Sequence, residues 1–144
     1  MNYTACALCP RECNVNRQAG ETGFCGCPDT ALVSKTMLHQ WEEPILAAKY
    51  SGAIFFGGCT LGCRYCQNRD ISHKPTGTPT DSAGLRQMMQ QLIHQGAENI
   101  DLITPTQFLP TILPALEEKF PVPVIYNCGG YEKPETISLL KDKV

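Results

Sequence analysis

Residues 53–66 read AIFFGGCTLGCRYC: a short apolar run is followed at once by three cysteines within eight positions. An apolar run of this length that ends in glycines is typical of a buried strand, so we predict a strand over 53–56. Four thiolates close the coordination sphere of a structural zinc ion, whereas three thiolates on a [4Fe-4S] cluster leave one iron open to a further ligand. The spacing therefore favours an open iron–sulfur cluster held by three cysteines, Cys59, Cys63 and Cys66.

Two alternatives remain for these cysteines. One is a zinc ion whose fourth ligand comes from Cys128 or His73, and the other is a set of thiols that only pack in the core. Thiols that flank Arg64 and Gly62 do not follow the period of a core helix or strand, which disfavours packing alone. The glycines of the loop favour the cluster, because they let backbone amides approach its sulfides: Gly57, Gly58 and Gly62.

The composition indicates one globular domain, with 42% apolar residues in 144. A net charge of −2 and a pI near 5.9, without a basic stripe, create no field that would gather nucleic acid. The apolar runs are too short to span a membrane and the N-terminus shows no signal peptide, so we expect a cytoplasmic protein without nucleic-acid or membrane partners. Thiols stay reduced there, so the nine cysteines indicate metal or redox chemistry.

Cysteine density divides the chain into a cysteine-rich N-terminal segment, 1–48, and a more regular region, 49–144. The N-terminal segment offers one strand candidate, 31–38, and little core, so a metal ion or docking onto the neighbouring region must hold it together. It contains a four-thiolate set, which suits a closed zinc site or an auxiliary iron–sulfur cluster, at Cys6, Cys9, Cys13 and Cys25. Cys27 could replace the last of these, and unligated thiols are the remaining alternative.

Strands alternate with helices in the second region. Asp81 or Thr80 can cap a helix that Gly96 ends. The later elements are a strand at 100–104, a helix at 108–120 with a kink or a late start at Pro114, a strand at 122–126 and a helix at 134–141. This alternation predicts an α/β fold with a parallel sheet and right-handed crossovers. Ligands bind such sheets at the carboxyl ends of the strands, so the cysteine loop and the loops at 104–106 and 127–130 should converge on one site.

The octapeptide CTLGCRYC resembles the CxxxCxΦC signature of the radical S-adenosyl-L-methionine (SAM) superfamily, where Φ is an aromatic residue. Segments such as CALCPREC, VNRQAGETGFC and PVIYNCGGYEKPET extend the similarity over nearly the whole chain, to the uncharacterised branch related to pyruvate formate-lyase activating enzymes. The resemblance implies a [4Fe-4S] cluster that reductively cleaves SAM to methionine and a 5′-deoxyadenosyl radical. It also implies a glycyl-radical protein as substrate, and an electron donor such as flavodoxin or ferredoxin.

The resemblance also assigns residues to SAM. Tyr65, the aromatic of the signature, would lie against the adenine. Many relatives hold the amino group of SAM with a Gly-Gly-Glu-Pro motif, and the corresponding turn here contains Thr104 and Thr106 but no carboxylate. Asn127 could contact the ribose or the carboxylate. The alternative for these three polar residues is a plain strand-ending turn.

Barrels of the radical SAM superfamily usually have about six βα units, each of some 30 or more residues. The resemblance therefore implies a partial (β/α) barrel of which this chain is the first half, about three units. We expect a fragment, or half of an assembly that another chain completes. The alternative function is a truncated, non-catalytic iron–sulfur or zinc-binding protein, which keeps the cysteine loops but cannot shield a radical from solvent.

Overall fold

The computed structural model describes residues 2–40 and 50–144. Within these ranges the strands are β1 (Ala31–His39), β2 (Ser51–Phe56), β3 (Thr78–Thr80), β4 (Asn99–Ile103) and β5 (Val124–Asn127). The helices are α1 (Arg69–Ser72), α2 (Ser82–His94), α3 (Leu109–Ala115) and α4 (Pro134–Ser138), with 3-10 turns at Arg17–Ala19 and Thr106–Phe108. The boundary that we predict between residues 48 and 49 lies outside the described residues.

The strands form one mixed sheet in the order β3-β1-β2-β4-β5. Its central strands β2, β4 and β5 are parallel, with Ile54 opposite Leu102 and Leu102 opposite Tyr126. β1 runs antiparallel to β2, and β3 runs antiparallel to β1. The fold is therefore mixed α/β, and the strand of the N-terminal segment adds directly to the sheet of the second region.

The sheet of the described residues is open and does not form the predicted partial barrel. β3 and β5 stand at its two ends and do not pair with each other. The five strands of the described residues therefore form a sheet with two free ends and not a closed barrel.

The core lies where helices cover the sheet. Buried apolar side chains from the central strands meet those of α2 and α3 there, among them Ile54, Leu85, Met89, Leu102 and Ile112. Leu32 and Val33 of β1 belong to the same cluster. The N-terminal segment thus shares the core of the second region. It has few apolar residues of its own, and docking onto this core lets it pack.

Prolines explain most differences between the predicted and observed elements. β3 lies within a polar stretch, 74–80, for which we predict no strand, and it pairs with β1 at the edge of the sheet, where the missing N–H of Pro79 is tolerated. β5 begins at Val124 rather than residue 122, directly after Pro123. The helix predicted at 108–120 ends at Ala115, one residue after Pro114.

The helix α2 follows its predicted signals closely. Asp81 is its N-cap, and its side chain accepts a hydrogen bond of 2.7 Å from the backbone N–H of Gly84. Gly96 has a φ of +104°, which lets the chain leave the helix and turn into β4. Within the described residues, no helix combines the length and the apolar character needed to cross a bilayer.

The Asp81 cap yields a test of the fold. Replacing Asp81 by Ala should lower the free energy of unfolding by about 1 kcal/mol, because one N–H of the first helical turn loses its acceptor. Urea denaturation followed by circular dichroism measures this difference. Asp81→Asn is the matched control, since its side-chain carbonyl keeps the acceptor and should restore most of the stability; equal loss in both variants would contradict the capping role.

Candidate metal centre

The three-cysteine loop, residues 57–66, leaves the carboxyl end of the central parallel strand β2. Gly57 N–H donates to Leu32 O over 2.9 Å, and Gly58 N–H donates to Ile71 O over 2.8 Å, so the start of the loop is held from both sides. Gly58 has a φ of +73°, and a Cβ at this position would collide with Cys27 Sγ. The chain can therefore turn into the loop only because glycine stands here.

The thiols of Cys59, Cys63 and Cys66 are half-buried in this loop. Two of the three sulfurs accept hydrogen bonds, Cys59 Sγ from Leu61 N–H at 3.4 Å and Cys66 Sγ from the Ser72 hydroxyl at 3.3 Å. Such donors stabilise thiolates and tune the potential of a cluster that they hold. All nine cysteines of the chain lie in the described residues, and none forms a disulfide.

A groove of about 200 Å³ opens beside Cys59. Ser72 and His73 form one wall, and Phe24 and Cys25 of the N-terminal segment form part of the other. Three thiol donors, amide and hydroxyl donors to the sulfurs, and open space on one side fit a [4Fe-4S] cluster with one accessible iron. Among residues 2–40 and 50–144, no three Cys, His, Asp or Glu side chains are arranged so that they could hold a metal ion as they stand.

Arg11 reaches the cysteine loop from the N-terminal segment. Its Nε donates to Thr60 O over 3.1 Å and its Nη2 donates to Leu61 O over 3.2 Å. The guanidinium also stacks on Phe24, with 3.6 Å between its carbon and the ring centroid. Arg11 thus braces the turn between the first two cysteines and adds positive charge beside the candidate cluster. The CPREC motif contains this arginine, but spacing alone does not reveal its contact.

Gln107 joins the ends of the two central strands. Its amide nitrogen donates to Gly57 O, Gly58 O and Thr104 O over 3.1, 3.0 and 2.7 Å. The Gln107 side chain is 2% exposed. Water does not reach these buried carbonyls, so the amide of Gln107 is their hydrogen-bond donor. Sequence analysis missed this residue, because a single glutamine after a strand carries no distinctive pattern.

The residues that the resemblance assigns to SAM lie in different environments. Tyr65 is 91% exposed, and Thr104 has a φ of +51°, an uncommon conformation for a residue that is not glycine. Thr106 is buried, and its hydroxyl contacts the Tyr126 hydroxyl at 2.6 Å and Glu132 Oε1 at 3.0 Å. The carboxylate that the turn itself lacks is therefore brought next to it by Glu132, a residue that sequence analysis did not select.

Asn127 ends β5 and contacts a buried carboxylate. Its amide nitrogen donates to Asp101 Oδ2 over 3.3 Å, and Asp101 is 2% exposed in the middle of β4. Sequence analysis missed Asp101, although a charged residue within an otherwise apolar strand is a signal that could have found it. The two loops after β4 and β5 therefore do meet at the carboxyl end of the sheet, as predicted.

The cysteines predicted as a second metal site line one cavity, the four-cysteine cavity: Cys6, Cys9, Cys13 and Cys25. Burial raises the pKa of the Cys9 thiol, and the negative charge of its three cysteine neighbours raises it further. Arg17, 2% exposed, approaches from the inner side and points its Nη1 at Cys6 Sγ over 3.9 Å. The fold therefore brings the four cysteines of the predicted second metal site to the wall of one cavity.

Cys27 lies outside that cavity. It is fully buried, and its thiol donates to Cys25 O and Gly57 O, both at 3.4 Å. A hydrogen bond from Cys27 lowers the pKa of Cys25 to about 6, whereas the same contact and burial raise the pKa of Cys27. The two thiols are therefore inequivalent: Cys25 lines the cavity, and Cys27 is packed in the core.

Comparison with known proteins supports an iron–sulfur assignment. Residues 50–115 match the model of a protein family described as a 4Fe-4S single cluster domain. The chain therefore contains a 4Fe-4S cluster-binding domain. It is also 32% identical over 152 aligned residues to an uncharacterized protein of Methanocaldococcus jannaschii, a match that covers 99% of this chain and 44% of the relative. No solved structure matches the chain.

The contact between Arg11 and the cysteine loop should slow the loss of a bound cluster. Arg11→Ala should speed the loss of the reconstituted cluster to an iron chelator by about tenfold, because two hydrogen bonds from a charged donor to the loop are removed. Anaerobic bleaching of the iron–sulfur absorption measures the rate. Arg64→Ala, which removes an exposed arginine of the same loop, is the control and should leave the rate unchanged; equal rates in all three proteins would contradict the bracing role.

Proposed function

We propose that this chain is the cluster-bearing part of a radical SAM enzyme that resembles the activating enzymes of glycyl-radical proteins. The observation that carries the proposal is the placement of three cysteines, and no fourth, on the loop after the central parallel strand, beside a groove of about 200 Å³. A reduced [4Fe-4S] cluster with one open iron supplies the electron that splits SAM into methionine and a 5′-deoxyadenosyl radical.

The protein would hold the cluster through the thiolates of Cys59, Cys63 and Cys66. Leu61 N–H and the Ser72 hydroxyl would remain as donors to two of these sulfurs. Donors to cluster sulfurs stabilise the reduced, more negative state, which eases electron uptake. Arg11 would add to this effect through its charge and would keep the turn at Thr60 and Leu61 from moving.

SAM would bind over the carboxyl ends of β4 and β5. Glu132, beside the hydroxyl of Thr106, supplies the negative charge that an ammonium group needs and that the turn at 104–106 lacks. Asn127 presents an amide at the same edge, held by Asp101. Tyr65 is exposed, so its ring can stack on the adenine of SAM. That contact would bury the apolar surface of the tyrosine side chain.

The partners follow from this chemistry. The cluster requires a one-electron donor such as flavodoxin or ferredoxin, and the radical requires a hydrogen donor, for which a glycine of a glycyl-radical protein is our proposal. The chain spans less than half of the length of its relative. We propose that the strands needed to enclose the radical come from outside the described residues, either from more of the same polypeptide or from another chain.

A second candidate is a non-catalytic iron–sulfur or zinc-binding protein. The open sheet favours it, because β5 forms an end of the sheet and nothing in the described residues closes it toward β3. A cluster exposed in this way could transfer electrons or stabilise the fold, but it could not keep a carbon radical from solvent.

One experiment separates the two candidates. The full chain is reconstituted anaerobically with iron and sulfide, reduced with dithionite and incubated with SAM. The enzyme should form 5′-deoxyadenosine and methionine in equal amounts; each SAM cleaved consumes one electron from the cluster, and the radical takes one hydrogen atom from a C–H bond of the protein or buffer. Cys63→Ala should abolish both products, whereas Cys128→Ser, which changes an exposed thiol outside the loop, should retain them.

Two results would decide against the enzyme. A fully loaded cluster with unchanged SAM supports the non-catalytic protein. Spectroscopy that shows four cysteine ligands on the cluster, or a mononuclear ion on the loop, would contradict the open iron itself.

A further inference from the structure

We propose that the N-terminal segment binds one Zn²⁺ ion as a closed tetrathiolate, a centre separate from the cluster loop, on Cys6, Cys9, Cys13 and Cys25. The sequence left three alternatives open for this set: a zinc ion, an auxiliary iron–sulfur cluster or unligated thiols. The dimensions and surroundings of the four-cysteine cavity distinguish between them. The inference stands independently of any cleavage of SAM.

Local backbone contacts bring three of the four cysteines together. Cys6 N–H donates to Val15 O and Asn14 N–H donates to Cys6 O, each over 3.0 Å, so the chain folds back on itself around Cys9 and Cys13. Glu12 and Asn14 both have positive φ, at 43° and 54°, which is uncommon for residues with a side chain. This tight return places the intervening Cys13 on the same side as Cys6 and Cys9.

The fourth cysteine comes from a separate turn. Gly26 N–H donates to Gly23 O over 3.0 Å, which presents Cys25 to the cavity. Gly23 is required for this approach, because a Cβ there would lie 2.9 Å from both Cβ and Sγ of Cys13. The segment is therefore built so that the two turns meet at their cysteines.

The volume of the cavity favours a single ion. It encloses about 20 Å³, with Leu8, Val15 and Phe24 among its walls. A space of roughly 10–15 Å³ on this scale holds one water molecule, so the cavity as it stands matches one ion and is much smaller than a cube of four irons and four sulfides. The groove beside Cys59 is ten times larger, at about 200 Å³ against 20 Å³. Four thiolates in a closed tetrahedron are the usual ligands of a structural zinc ion.

The wall of the cavity suits an anionic centre. A zinc tetrathiolate carries net negative charge, and the buried guanidinium of Arg17 lies on its inner side, 3.9 Å from Cys6 Sγ. Phe24 N–H donates to Cys13 Sγ over 3.5 Å, the backbone amide contact that zinc thiolates usually receive.

The proposal selects Cys25 over Cys27 and includes a movement of side chains. Cys25 lines the cavity, whereas Cys27 is packed in the core against Gly57 O. The four thiols surround the cavity without yet standing in a ligating arrangement, so binding requires rotation of their side chains toward its centre. Rotation about one bond suffices to move a thiol of cysteine, because its sulfur is the terminal atom.

The zinc centre would also stabilise the cluster loop. Arg11 lies between Cys9 and Cys13, and it is this arginine that donates to Thr60 O and Leu61 O. An ion that fixes the two flanking cysteines fixes the arginine between them. Metal binding in such a small segment contributes directly to its folding.

The test uses the full chain in which Cys59→Ser, Cys63→Ser and Cys66→Ser remove the cluster ligands. We expect this protein to bind one equivalent of Zn²⁺ or Co²⁺ under anaerobic, reducing conditions. The Co²⁺ form should show the thiolate charge-transfer and ligand-field bands of a tetrahedral sulfur site. A further Cys13→Ser should remove these bands, whereas a further Cys128→Ser should leave them unchanged.

A footprint of the wild-type chain keeps the inference testable even if Cys13→Ser fails to fold. Zn²⁺ alone should slow alkylation of the four cysteines by roughly tenfold or more, mapped by mass spectrometry, and leave Cys128 as reactive as before. Protection of Cys27 in place of Cys25, the formation of an iron–sulfur chromophore in the triple variant, or failure of that variant to bind Co²⁺ would each overturn the proposal.

Discussion

A chain of buried polar contacts joins the two cysteine-bearing regions, and the arrangement of both depends on it. Arg17 Nη1 donates to Gln107 O over 2.7 Å, and the amide of Gln107 donates to Gly57 O and Gly58 O. Arg17 also donates to Pro28 O and stacks on Tyr3, with 4.3 Å to the ring centroid. Both side chains are 2% exposed, so none of these groups can exchange its partner for water. The N-terminal segment is therefore bound to the ends of β2 and β4 by interactions that are costly to break.

The two sets of cysteines are adjacent, yet their surroundings differ. The loop at 57–66 is short, rich in glycine and open on one side, and three sulfurs leave a metal cluster incomplete. The four-cysteine cavity is small and enclosed by apolar and aromatic walls, with Arg17 as its inner charge. An open metal site can bind a further ligand, whereas an enclosed site holds its metal permanently. We therefore propose that the cysteines of the loop at 57–66 are reactive and that those of the four-cysteine cavity support the structure.

Much of the fold could be predicted from local signals. The strand at 53–56, the strand at 31–38 and the capped helix beginning after Asp81 all occur in the structure, because each rests on apolar spacing and on one clear boundary residue. Elements and pairings without such a local signal could not be predicted. The edge strand β3 lies in a polar stretch without a strand pattern, and the antiparallel pairing of β1 with β2 involves residues too far apart in sequence for periodicity to detect.

The amino-acid sequence by itself determined where the candidate cluster ligands lie along the chain, because the spacing of Cys59, Cys63 and Cys66 is local and chemically specific. Only the tertiary structure decided which more distant residues contact that loop and the turn at 104–106. Arg11 reaches Thr60 across 49 positions, and Glu132 reaches Thr106 across 26. It also decided the size of the four-cysteine cavity, because a volume depends on how separate turns pack together and leaves no mark on the spacing of the cysteines that line it.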